Sequence, residues 1–189
     1  MLPIGSLFKV YTEYKLYYKE IMVKLKKIEA IKKLKQTKMI KLSPENLRDV
    51  LYSEPGVYAI YNGPDAKQRP LYVGSTKELD RRFGQLVETV YFFHTFTERL
   101  FWREAEQMSG RKYTNKELYD QFWFGNKKDR EEIIMKIERL FNKLWFKYVE
   151  LVDWEENEYE ELEKEVQKDL KPLNPHLRDS KITLDDLLR

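Results

Sequence analysis

Gly56-Val57-Tyr58-Ala59-Ile60-Tyr61-Asn62-Gly63-Pro64-Asp65, followed after residues 66–70 by Leu71-Tyr72-Val73-Gly74, is the stretch from which the fold can be read. Val57, Ala59 and Tyr61 alternate with Tyr58 and Ile60, a period of two that predicts a strand. Asn62-Gly63-Pro64-Asp65 is turn chemistry, so the hairpin loop runs to about Arg69 and Leu71-Tyr72-Val73 returns as the partner strand, ended by Gly74. A helix is expected to begin near Ser75 to Lys77, with Leu79, Phe83, Leu86, Val87 and Val90 on one face.

Downstream, residues 91–142 read as a mostly helical insertion. Thr114 caps a helix at Asn115-Lys116-Glu117, and Asp129 opens another whose apolar face is Ile133, Ile134, Ile137, Leu140 and Phe141. Leu144, Phe146, Tyr148 and Leu151 predict a third strand with a wet or loosely covered second face. Glu155 to Lys171 follows as a helix stopped by Pro172, and Thr183 to Leu188 as a short one. Upstream, Ser43-Pro44-Glu45 starts a helix over 44–52, and residues 6–40 read as a long basic helix. The expected architecture is α/β, a small, mainly antiparallel three-stranded sheet flanked by helices. Residues 1–52 form a basic extension, 53–178 the domain with its insertion, and 179–189 a tail helix.

Composition narrows the chemistry. A 42% apolar content with 14% aromatics suffices for a packed core. The absence of cysteine excludes disulfides, thiolate zinc sites and cysteine nucleophiles. His94 and His176 are the only histidines, so a metal would be a hard cation held by oxygen. The net charge of +3 conceals a balance of +7 over residues 1–50 and −5 over 114–189. A basic arm of that kind suits phosphate contact or a solvated helix face. It could equally pack on the domain or on a partner helix. Neither a signal segment nor a stretch of roughly 18 apolar residues is visible, so the expectation is a cytoplasmic protein away from membranes.

Gly56-Val57-Tyr58 in one strand and Tyr72-Val73-Gly74 ending the next, followed by an arginine and by a glutamate ahead of Pro172-Leu173-Asn174, resemble the GIY-YIG nuclease family. The resemblance spans roughly residues 55–91 and 143–175. It places an arginine ten residues after Tyr72, at Arg82. A helical wheel agrees: Arg82 sits about 80° from the apolar stripe and Arg81 about 180° away. Among the glutamates of 155–165, Glu163 lies about 55° from the stripe of Tyr159, Leu162, Val166 and Leu170. It precedes Pro172 by nine residues, as the metal glutamate does in the family's DNA-repair members.

The resemblance implies a one-metal endonuclease acting on DNA, taken to be double-stranded, with Mg²⁺ or Mn²⁺ on Glu163 and no organic cofactor. Tyr58, Tyr72, Arg82, Glu163 and Asn174 would be catalytic. Gly74, Ser75, Lys77 and Arg82 would contact nucleic acid, Ser75 and Lys77 at a helix start. Tyr58 would accept a proton from the attacking water, which requires a phenol pKa below its usual value of about 10. The metal, Arg82 and a hydrogen bond from Tyr72 would favour that phenolate. Leu86 departs from the family, many of whose members carry His or Tyr there; either His94 or a nearby tyrosine compensates, or that part of the relay is missing. Two other readings stay open: a nucleic-acid-binding module without turnover, and a helical protein–protein adaptor.

Overall fold

The alternating segment at Gly56 becomes the middle of a sheet rather than half of an isolated hairpin. In the computed structural model, which describes residues 4–47, 54–65, 67–88, 95–118, 120, 124–173 and 183–189, β2 (Gly56–Asn62) pairs antiparallel with β3 (Tyr72–Thr76) on one side. On the other side it pairs along its whole length with β4 (Leu144–Glu150). The sheet has four strands, not the expected three. β1 (Ile40–Lys41) joins the outer edge of β4, giving the order β1-β4-β2-β3. Two residues are too few to display a period of two; β1 exists because β4 offers it a free edge.

Both faces of the sheet are covered. Val57, Ala59, Tyr61, Val73, Val149 and Leu151 form one core with Ala30 and Leu34 of α1 (Ile4–Gln36) and with Tyr159, Leu162 and Val166 of α7 (Glu156–Leu170). The second face of β4, expected wet or loosely covered, is covered over Lys147 and Val149, with Trp145 left partly exposed. Lys147 is buried there and donates from Nζ to the Lys35 carbonyl at 2.7 Å, while burial pushes its pKa down. The predicted N-terminal extension thus supplies core and sheet, with Leu42 and β1 built into the domain.

Tyr58, Ile60, Tyr72 and Phe146 face the other way. They pack with Leu79 and Phe83 of α3 (Leu79–Glu88) and Phe96 and Leu100 of α4 (Thr95–Ser109). Behind these lie Ile133, Ile137 and Leu140 of α6 (Lys127–Phe141) and Leu184 and Leu187 of α8 (Leu184–Leu188). Two short helices, α2 (Pro44–Leu47) and α5 (Asn115–Glu117), start beside Ser43 and Thr114, whose hydroxyls accept from backbone N–H groups.

Helix ends follow local chemistry. Asn126, not Asp129, caps α6, and a capping box of Glu155 and Glu158 opens α7. α7 stops at Lys171, whose φ of 48° leads into Pro172. β3 runs two residues beyond Gly74, because Ser75 and Thr76 still pair with Val57 and Gly56; α3 accordingly starts at Leu79 rather than at 75–77. No helix among the described residues is long and apolar enough to cross a membrane.

Candidate active site

Two glycines set the geometry. Gly74 lies opposite Tyr58 in the ladder, and a Cβ there would come 2.6 Å from Tyr72 Cε1 and 2.9 Å from Tyr58 Oη. Only a glycine lets both rings lie over the strand. The rings stack with centroids 6.0 Å apart, and Phe83 and Phe96 wedge them from behind at 5.3 and 5.7 Å. A Cβ at Gly56 would come 2.5 Å from Leu79 Cδ1, so that glycine seats the first residue of α3 against the sheet. Arg82 follows three residues later, half-buried, while Arg81 points to solvent and bridges Glu78 at 3.3 Å. This is the division the helical wheel anticipated.

Glu163 approaches from α7. Ser75 Oγ donates to its Oε2 at 2.5 Å, and Gln167 Nε2 donates to its Oε1 at 2.8 Å. Gln167 also reaches the Val73 carbonyl at 3.4 Å, so the carboxylate is held beside β3, an edge strand. Glu160, Glu161 and Glu165 are exposed.

Electrostatics join these four side chains. Burial pushes the Tyr58 phenol well above its ordinary value; Tyr72 and Glu163 push the same way, and Arg82 opposes them. Tyr72 is also raised, by burial and Glu163, against the pull of Arg99, Arg82 and a hydrogen bond from Thr95. Of the protein groups expected to favour the Tyr58 phenolate, Arg82 lowers its pKa as anticipated, whereas the Tyr72 hydrogen bond raises it. Tyr58 as a residue is 1% exposed, and its hydrogen bond with Tyr72 favours the protonated phenol.

A cleft of about 330 Å³ opens between the β3–α3 junction and the first turns of α7, and of Tyr58, Tyr72, Arg82 and Glu163 it is Arg82 that lines it. Ser75, Thr76, Lys77, Arg81 and Arg82 line one wall, and Glu156, Tyr159 and Glu160 the other. Lys77 spans it, bonded to Glu156 at 2.6 Å, which pushes the ammonium pKa up.

Tyr58, Tyr72, Arg82, Glu163, Gly74, Ser75 and Lys77 thus gather at one end of the sheet from residues 105 apart in the chain. Asn174 and His94 lie outside the described residues, as does the side chain of Leu86 on α3. Arg69 hydrogen-bonds the Lys171 and Pro172 carbonyls, which fixes the chain just before Asn174 beside the hairpin loop. Among the described residues no three potential ligands cluster for a metal. Glu163 alone still suits a hard ion that keeps its waters and takes phosphate oxygens, since each carboxylate oxygen has accepted one bond and retains a lone pair.

Thr95, Arg99 and Gln167 escaped the sequence reading. Thr95 and Arg99 belong to the insertion, and nothing local marks a helix there as packing on Tyr72. Gln167 is legible only in hindsight, one turn after Glu163. Comparisons with protein-family models, with curated proteins and with solved structures found no match.

Proposed function

We propose that this chain is a metal-dependent endonuclease that hydrolyses DNA phosphodiester bonds in the manner of the GIY-YIG nucleases. The observation that carries the reading is the meeting of Tyr58, Tyr72, Arg82 and Glu163 from two strands and two helices around Gly74. A packed core does not need an arginine and a carboxylate beside two buried phenols. A phosphoryl-transfer site does.

Glu163 would hold the divalent ion, Mg²⁺ or Mn²⁺, with Ser75 and Gln167 fixing the carboxylate's orientation. When bound, the ion supplies Lewis-acid polarisation of a phosphate oxygen and charge compensation for the leaving oxygen. Arg82 holds a non-bridging oxygen and stabilises the charge that grows on it. Tyr72, at 8% exposure against 1% for Tyr58, is the phenol that meets a substrate water. Tyr58 stands behind it and positions its oxygen. Ser75 and Lys77 line the path of the flanking backbone, where Lys77 exchanges Glu156 for phosphate.

The raised pKa of both phenols favours a second reading, a DNA-binding module without turnover. Single-turnover assays on duplex and branched DNA with Mg²⁺ or Mn²⁺ separate the two. Metal-dependent nicking that vanishes in Glu163→Gln supports the nuclease. Salt-sensitive binding with no cleavage under either metal supports the module, and absence of both defeats the nucleic-acid reading altogether.

A further inference from the structure

Six of the nine large hydrophobic side chains left exposed among the described residues lie on α1: Tyr17, Tyr18, Ile21, Met22, Leu25 and Ile28. Tyr18, Ile21, Leu25 and Ile28 follow a 3-4-3 spacing, the a and d positions of a heptad. They point about 170° away from Val23, Lys27, Ala30 and Leu34, the side of α1 that faces its own domain. In the sequence the same spacing continues upstream through Tyr14, Tyr11, Leu7 and Ile4. The helix therefore carries two opposed apolar stripes, and the domain uses one of them.

We propose that the outer stripe pairs two copies of this chain in a parallel two-stranded coiled coil. This inference stands apart from the reading of the nuclease site. The flanking charges select a second copy as the occupant. Lys24 and Glu29 occupy the g and e positions, so in a parallel pair Lys24 of each copy, which in the single copy bridges Glu20 of its own helix at 3.3 Å, faces Glu29 of the other. The seam ends where it should, because the next a and d positions are Lys32 and Lys35, and Lys35 is bonded at 2.6 Å to Asp169 of its own domain. Since each domain docks on the side opposite the seam, two domains ride on the outside of the pair without collision. An exposed stripe of Tyr, Ile and Leu offers nothing to phosphates, and a continuous helix directs it away from its own domain.

Sedimentation velocity on the full chain tests this. A mass twice that of the 23.1 kDa chain is expected for the wild type, and one chain mass for Leu25→Lys. Leu25 is 53% exposed in the single copy, so its replacement leaves the domain intact, which an unchanged melting temperature would verify. Lys24→Glu should weaken the dimer, and Lys24→Glu with Glu29→Lys should restore it. Because the chain has no cysteine, Ile21→Cys reports orientation. A parallel pair closes a disulfide between the two copies on oxidation, whereas an antiparallel pair over this seam holds the two sites on the order of 15 Å apart. A wild type that stays monomeric at its highest soluble concentration overturns the proposal. So does a dimer that survives Leu25→Lys, or one whose Ile21→Cys form does not crosslink.

Discussion

Glu104 and Glu163 are both glutamates drawn out of water by the fold, and they are treated in opposite ways. Glu104, 3% exposed on α4, is answered by a cation: Lys136 of α6 donates to it at 2.9 Å and reaches Asp185 at 3.5 Å. That pair ties α4, α6 and α8 into one unit, so the carboxylate is spent on structure. Glu163 is half-buried and held by a hydroxyl and an amide, both neutral. Neutral donors fix a carboxylate without cancelling its charge. Such a group still attracts a cation, which is why the proposed reading rests on Glu163 and not on Glu104.

Substitutions at the two positions break the comparison most sharply. Glu163→Gln should lose metal-dependent cleavage entirely while keeping its melting temperature and DNA affinity; unchanged cleavage would move the ion to another carboxylate. Arg82→Ala should lower the single-turnover rate about 10²–10³-fold, the scale of losing one charge-stabilising donor, with little change in stability. Lys136→Met tests the structural partner. It leaves the Glu104 charge buried and alone, so a urea titration should show a loss of about 3 kcal/mol, with cleavage per folded molecule intact. A Lys136→Met protein that is fully stable but inactive would invert the assignment.

Alkaline unfolding sharpens the same comparison for the phenols. The folded chain holds the Tyr58 and Tyr72 protons more tightly than the unfolded chain does. Their contribution is therefore complete below the unfolded pKa of about 10 and is lost as pH rises toward the folded value. The urea midpoint should fall above about pH 10, less steeply in Tyr58→Phe; equal slopes would mean that the phenol is not sealed. Lys77 marks the weak end of the series. Its bond to Glu156 is exposed and screened, so Lys77→Ala should leave the melting temperature unchanged. It should reduce the salt slope of DNA binding by about one. An unaltered slope would remove Lys77 from the phosphate path.

Much of this was legible from residue types. Alternation located β2 and β4, turn chemistry placed β3 beside β2, Ser43 and Thr114 marked the starts of α2 and α5, Pro172 marked the end of α7, and the helical wheel chose Arg82 over Arg81 and Glu163 over its neighbours. Those signals are local, set by the 2.0 and 3.6 residue periods and by side chains bonding their own backbone. β1 was not legible, since a two-residue strand carries no pattern. Nor was the role of residues 30–42, whose lysines masked a stripe that docks on the sheet.

The residues by themselves determined every strand but β1, most of the helices, and the set of side chains proposed for phosphate chemistry. Burial and long-range pairing decided the rest. They raised the Tyr58 phenol by burial, brought Thr95 and Arg99 from the insertion to Tyr72, and buried Lys147 on the second face of β4. They also gave Glu163 neutral donors and Glu104 a cation. The physical reason is one of range. A pKa and an ion's opportunity depend on what lies within a few ångströms in space, and partners far apart in the chain leave no mark on local periodicity.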